Sequence, residues 1–472
     1  MANLNPLELK IIDVKIEKFN NQDRMSIFPQ FIELSIFQSL FEPVIKAEMI
    51  LNDNIGLFVN YPFTGEELIT IYYQHISNEG GDYSTERVTP RQNQFIIKGV
   101  RNIVMSDKAR TLMYIVDLVS VEFLQNVKKY VSHAFNDLLE DAAEKIYEEY
   151  IANDTQVKFK TSKNFNKERS VKVRRIIVPN LRPLQAIQWL AKHAVSSDND
   201  NNFLYLFYEN FDGFNFTTIQ QLIKDGLDNK DLLIQNKYQY VSDKEIIQND
   251  PTDPNSDLRL ITNVVTNKRF SSIEKISGGY YQNELFEINM LQKSYNSTNS
   301  ELDPTNNGMY VLGKNPLNTP EYINYVKNQI DGTEYSNRIR YIINNYEDTD
   351  EENRGQPNYR LKFGPSTRYL YALNQIDLSI TVPANMDLNV GDIIYCIIPE
   401  MHGFNNVIRD IYISGFFIIS EIKHVLGSGN RAATTMRIYK DGYTSAILET
   451  SEYNTSVYTP RVSTTGKPLG TV

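Results

Sequence analysis

Gly308-Met309-Tyr310-Val311-Leu312-Gly313-Lys314 has the spacing of a phosphate-binding loop, with a lysine placed to reach the phosphates. Its surroundings deny that chemistry. Asn315 stands where a hydroxyl must meet magnesium, Pro316 follows where a helix must begin, and no apolar strand precedes Gly308. The five histidines, His75, His133, His193, His402 and His424, are scattered without H-E-x-x-H or any other short ligand spacing. No G-x-S-x-G elbow occurs, and Cys396, the only cysteine, lies inside the apolar run IIYCII, where a buried inert thiol is expected. Glu140, Asp141, Glu144, Glu148 and Glu149 form a charge run that reads as the solvated face of a helix. Carboxylates are numerous enough for a glycosidase pair, but that chemistry depends on their separation in space. No catalytic, cofactor-binding or metal-ligating residue is assigned, no cofactor is expected, and the chain reads as non-enzymatic.

The elements that carry these residues are mostly strands. FIELSIFQSL alternates apolar Ile32, Leu34 and Ile36 with polar Glu33 and Ser35, and VIKAEMIL, ELITIYY, FIIKGVRNIV and TLMYIVDLVSV follow it. Turn material at Glu42-Pro43, Asn52-Asp53-Asn54 and Thr64-Gly65 separates them, which suits a barrel or sandwich. The period then changes. Phe135, Leu138, Leu139, Ala142, Ala143, Ile146, Tyr147 and Tyr150 make a helical stripe with Ser132 as N-cap, and PLQAIQWLAKHA starts a second helix with Pro183 in its first turn. FLYLFYE and FNFTTI read as a hairpin around Asp212-Gly213. Beyond about Leu258 the β character returns, interrupted by a polar stretch from Ser294 to Asn358 rich in Asn, Pro, Gly and Tyr.

With 472 residues, 41% hydrophobic, the chain can fill several cores. Lys and Arg total 48 against 58 for Asp and Glu, a formal charge of −10 that argues against gripping nucleic-acid phosphate. One cysteine excludes an intrachain disulfide. The first 20 residues lack a basic region followed by an apolar core, so no secretion signal is expected, and no apolar run approaches the ~20 residues of a spanning helix, so no membrane insertion is expected.

An internal similarity joins the ends of the two β regions. Phe95, Ile96, Ile97, Val100, Arg101 and Ile103 match Phe417, Ile418, Ile419, Ile422, Lys423 and Val425 at one constant offset. One added turn residue then aligns Met113 and Ile115 with Met436 and Ile438, and Gly65-Glu66-Glu67-Leu68-Ile69 has a counterpart in Gly391-Asp392-Ile393-Ile394. Any two strand-turn-strand units share alternation, but three elements in the same order point to a duplicated β domain. Three chains with two copies each reach sixfold pseudo-symmetry.

The segment QFIELSIFQSLFEPVIKAEMILNDNIGLFVNYPFTGEELITIYY, with its Phe41-Glu42-Pro43 turn, Asp53, Pro62, Gly65 and Glu66-Glu67, resembles the first tube domain of baseplate hub subunits of contractile-tailed bacteriophages. LNVGDIIYCIIPE, then SGFFIISEIKHVL with His424, resembles the second, and PLQAIQWLAKHAVSS with FLYLFYENFDGFNF is similar to the helix and hairpin inserted between them. The resemblance implies an α+β, mainly β fold: a tube-like β-barrel over 1–125, an inserted α+β domain over 126–257, and a second barrel over 258–293 and 359–445. A surface insertion or extra lobe would occupy 294–358 and an extended tail 446–472. It further implies a homotrimeric ring in the virion baseplate, assembled in the host cytoplasm. Its partners would be the tail tube protein, the central spike protein and other baseplate proteins, with DNA passing through unbound. Glu48, Glu66, Glu67 and Asp392 are candidates for an acidic lumen. A carbohydrate-binding adhesin or glycan-degrading tail component is the alternative, since the chain's 30 Tyr would also suit sugar contacts.

Overall fold

Period-two alternation puts one set of side chains on each face of a strand, and between residues 31 and 120 the inward set is almost wholly apolar. A computed structural model describes residues 8–18, 24–76, 91–106, 111–152, 163–171, 174–197, 204–229, 236–240, 259–290, 293–301, 311–313, 328–330, 333–335, 338–343, 366, 370–399, 410–428 and 431–444. The N-terminal strands are β1 (Glu8–Lys18), β2 (Arg24–Ser26), β3 (Phe31–Ser39), β4 (Lys46–Asp53), β5 (Glu67–Ile76), β6 (Arg91–Ser106) and β7 (Thr111–Ser120), with the one-turn helix α1 (Leu57–Asn60) after β4. They pair in the order β2-β1-β5-β6-β7-β4-β3. The N–H of Ile27, next after β2, donates to Val14 O of β1 at 2.8 Å and extends the β1–β2 ladder up to the turn at Phe28–Gln30 that leads into β3. Val14, Ile16, Leu34, Ile36, Met49, Leu51, Ile69, Ile71, Tyr114 and Val116 fill the interior.

The middle of the chain packs separately. It holds α2 (Glu122–Lys128), β8 (Ala134–Asp137), α3 (Leu139–Tyr147), β9 (Asn164–Lys167), β10 (Arg174–Ile177), α4 (Pro183–His193), β11 (Tyr205–Asn210), β12 (Gly213–Thr218) and α5 (Ile219–Asp228). The apolar stripe of α3 and that of α4 meet over Phe207, Phe214 and Phe216 of the hairpin. The first helix begins later than its stripe suggests. Phe135 belongs to β8, which pairs with β10, and the residue before the helix is Leu138, so Ser132 caps nothing. Nor is the acidic run one solvated face: Glu140 is buried and accepts from Ser170 Oγ, while Asp141 and Glu144 hold Lys167.

Then come β13 (Lys237–Tyr240), β14 (Leu260–Ile261), β15 (Asn263–Lys268), α6 (Ser272–Gly278), β16 (Gln282–Asn289), β17 (Ser294–Glu301), β18 (Asn328–Ile330), β19 (Thr333–Tyr335), β20 (Arg338–Ile343), β21 (Ile376–Pro383), β22 (Ile393–Ile397), β23 (Gly415–Gly427) and β24 (Arg431–Lys440). β13, β22, β23, β24, β21 and β15 pair in that order, and β14, which runs on into β15, pairs back onto β13. This second ring of strands encloses Ile376, Leu378, Ile380, Ile394, Cys396, Phe417, Ile419, Met436 and Ile438. Two segments fall outside the expected partition. β13, from the stretch read as inserted, belongs by its pairing to this second sheet. β16, read as barrel, instead sits between β17 and β20 in a three-stranded sheet with the residues of the 294–358 excursion. The tail at 446–472 lies outside the described residues.

Five strands of one β structure repeat in the other, β3-β4-β7-β6-β5 as β15-β21-β24-β23-β22, while β1 pairs antiparallel with β5 and β13 pairs parallel with β22. Ile69 pairs with Phe95 and Ile394 with Phe417; Ile97 pairs with Leu118 and Ile419 with Ile438. In each copy one residue is then bulged out at the same point, Lys98 in β6 and Ser420 in β23. Outward from there, β7 pairs with β4 as β24 pairs with β21, and β4 with β3 as β21 with β15. Gly65 and Gly391, ahead of the matching strands, both take positive φ, 88° and 95°. The proposed match of Met113 and Ile115 with Met436 and Ile438 is displaced: the pairing equates Val116 with Met436 and Leu118 with Ile438, and a second bulge at Asn102 and Ile103 of β6, absent from β23, puts Val104 rather than Ile103 in the place of Val425. An error of three residues exchanges the faces of a strand. It arises because the outer face of β7 also carries apolar side chains, Met113 being 47% exposed while Met436 is fully buried.

Candidate functional site

The residues that suggested chemistry do not converge. Among the described residues of the loop-like motif, Leu312 and Gly313 donate their N–H groups to Asp441 at the end of β24, at 3.1 and 2.7 Å, so these amides anchor the excursion; Gly308 to Tyr310 and Lys314 lie outside the described residues. His193 shares a hydrogen with Trp189 O at 2.7 Å within α4, and exposed His133 stacks edge-on with Phe135. His424 is buried where the two β structures join, its Nδ1 2.9 Å from Thr434 Oγ1 and its ring near Phe211. His402 and the side chain of His75 lie outside the described residues. Cys396 is buried, and burial pushes its thiol far above the usual range. No group of three His, Cys, Asp or Glu among the described residues could hold a metal ion.

What converges is backbone. The C-terminal half of β23 pairs with β24 on one side and with β3 on the other, His424 opposite Ile36 and Leu426 opposite Leu34. This seam fuses the two β structures into one run of eight strands, β6-β7-β4-β3-β23-β24-β21-β15. One face is apolar and closed by the two cores. The other carries hydrogen-bonded charge. Arg101 donates to Asp117 at 2.9 Å and to Glu48 at 2.6 Å; in the second copy Arg437 reaches Asp377 at 2.7 Å and Glu421 at 3.6 Å. Lys423 lies over the Phe37 ring across the seam, 5.5 Å from its centre.

The four candidate lumen acids divide. Glu48 reaches this outer face, and Glu66 is exposed at the turn before β5. Glu67 is fully buried and accepts from Thr64 N at 2.9 Å and Gly65 N at 2.8 Å, which locks the turn before β5. Asp392 accepts from Asn389 N at 2.9 Å before β22, and burial raises its carboxyl to about 7. These two are the turn-locking acids of the two copies rather than wall charges. Two features that matter escaped the sequence reading: Arg101 and Arg437 with their acids, and the buried pair Glu209 and Glu122 bridged by the partly exposed Lys163. Glu209 accepts from Ile45 N and Ser120 Oγ at 2.8 and 2.7 Å, tying the inserted domain to the first barrel. In a cleft between the halves, lined by Tyr73, Arg91, Asn93, Phe211, Asp212, Asp387 and Asn389 among others, Arg91 bonds to Asp387 and Asn389 to Asp212.

Together these features define a β-rich chain with two fused, repeated strand rings and an inserted α+β domain. No family model matches the sequence, and no curated protein is recognisably similar to it. Solved structures are similar in fold. A tail protein from Neisseria meningitidis matches over 91% of this chain and 96% of its own, with 11% identity and a TM-score of 0.49. The 43 kDa tail protein of prophage MuSo2 from Shewanella oneidensis matches over 91% and 98%, with 12% identity and a TM-score of 0.46. An Escherichia coli component of the type VI secretion system matches over 94% and 80%, with 9% identity and a TM-score of 0.39. No helix among the described residues is long and apolar enough to cross a membrane.

Proposed function

We propose that the chain is a structural hub protein of a phage tail baseplate, a non-enzymatic subunit whose trimeric, pseudo-sixfold ring joins the tail tube to the central spike and lets DNA pass. The observation that carries this reading is the eight-stranded sheet built from two copies of one strand arrangement. A repeat fused through a strand pairing is already one step of a ring, and further copies related by the same step close it. Its polar face, with each arginine held between two carboxylates, suits a channel wall that a polyanion must leave. The order of the tube-like motifs along the sequence supports the assignment to baseplate hubs, with the strand rings as tube domains and the middle region inserted between them. Negative-stain imaging of the purified protein tests it. Rings with threefold averages and six peripheral densities are expected; monodisperse monomers at every concentration and salt tried would overturn the ring.

A further inference from the structure

Inside the chain, the C-terminal half of β23 is covered on both edges, because β3 lies against the edge that β24 leaves free. The repeat equates β23 with β6 and β3 with β15. The equivalent halves are bare: among the described residues, Gly99–Ser106 of β6 pairs only with β7, and β15 pairs only with β21. Both edges are open and carry exposed apolar side chains, Val104 at 61%, Met105 at 67% and Val265 at 47%, and β6 differs from β23 by a bulge at Asn102 and Ile103. An edge with exposed apolar side chains and unpaired N–H and C=O groups is a template for another strand. The two bare edges lie at opposite ends of the eight-stranded sheet, so one chain cannot join its own.

We propose that β6 of one copy pairs antiparallel with β15 of the next copy, repeating between chains the seam that β23 and β3 make within one. The register follows from the observed pairs. Val425 faces Ser35 and Leu426 faces Leu34. Through their neighbours on β24 and β7, Val425 corresponds to Val104 and Leu426 to Met105; through β21 and β4, Ser35 corresponds to Val265 and Leu34 to Val264. Val104 therefore faces Val265 of the next copy, and Met105 faces Val264. The same register sets Arg101 near Lys268, a like-charged pair neutralised on each side, Arg101 by Asp117 and Glu48 and Lys268 by Glu274. The partner is a second copy of this chain, and the pairing deepens the ring reading given above.

Directly opposed residues of antiparallel strands have Cα atoms about 4.5 to 5.5 Å apart, within the reach of a disulfide. The double variant V104C/V265C should therefore link chains to one another under mild oxidation, giving two- and three-chain species on a non-reducing gel. Each single variant should not, since Cys396 is buried. V104C/N263C, displaced by two residues, should link at least ten-fold more slowly. In a second arm, Val104→Lys should weaken association at least ten-fold with an unchanged circular dichroism spectrum, since the side chain is outside the core. Absence of links in a sample that sediments as an oligomer overturns the strand pairing and leaves the ring standing; faster linking by V104C/N263C overturns the register. Wild-type protein that stays monomeric throughout overturns both.

Discussion

At the scale of single residues, the join between the inserted domain and the first barrel depends on one lysine set between two acids. Lys163, a quarter exposed, contacts Glu209 and, at 3.1 Å, Glu122, both of them buried. Burial alone would lower the lysine's pKa, but the two carboxylates outweigh it and raise it; Glu209 itself is raised by burial, with Lys163 opposing. Removing the cation leaves two buried negative charges facing each other. Lys163→Met should therefore cost about 3 to 5 kcal/mol in urea denaturation at pH 7. The sign of its pH dependence is fixed. Unneutralised carboxylates have folded pKa values above their unfolded ones, so their penalty is complete above the folded pKa and is relieved as pH falls through it. The gap between variant and wild type should narrow on acidification; a gap unchanged from pH 7 to pH 5 would mean that the lysine acts through packing. None of this was legible in the sequence. Glu209 closes an ordinary alternating strand, Lys163 stands in a polar stretch, and they meet across 46 positions with no spacing to mark the pair.

At the scale of elements, the turns ahead of β5 and β22 perform one task with different tolerances. Both need a glycine at positive φ, where a Cβ costs roughly 1 to 2 kcal/mol. A Cβ on Gly65 would meet nothing closer than Ile97 O at 3.9 Å, whereas on Gly391 it would lie 2.9 Å from the Tyr208 hydroxyl and 3.3 Å from Leu222. Gly391→Ala should thus destabilise by more than Gly65→Ala, with the difference read as a lower denaturation midpoint at equal slope. Equal losses would mean that Tyr208 and Leu222 yield freely. This pair of turns was legible, because a glycine followed by acid and then apolar residues is local information. Strand existence was legible for the same reason, as in FIELSIFQSL and FIISEIKHVL. Partner choice was not. β16 has the same alternation as its barrel neighbours, and β13 is four residues long within a polar context, so only tertiary packing assigns each to its sheet. Face was ambiguous where both sides of a strand are apolar, as in β7.

At the scale of the whole molecule, the sign and arrangement of charge decide what the sheet can hold. A wall that binds DNA needs lysines or arginines free to replace the phosphates' counterions. On the outer face of the eight strands, Arg101 and Arg437 are each held by two carboxylates, Lys46 by Glu42, and Lys423 lies over Phe37. Taking Lys46, Arg101 or Arg437 to a phosphate would expose an unpaired acid beside the same phosphate, so each of these contacts carries its own repulsion. The chain's net charge of −10 acts in the same direction at longer range. Fluorescence titration of nonspecific duplex DNA with the assembled protein should therefore show no binding even at about 20 mM salt, where the Debye length exceeds ~20 Å and any basic track would be felt most strongly. Replacing Glu48 and Asp117 together by Gln and Asn would release Arg101 and leave uncharged side chains in the acids' places. That variant should gain weak DNA binding that disappears with added salt. Submicromolar, salt-sensitive binding by the unaltered protein would turn the reading from a conduit to a protein that retains DNA, and failure of the double variant to bind would place Arg101 away from the channel.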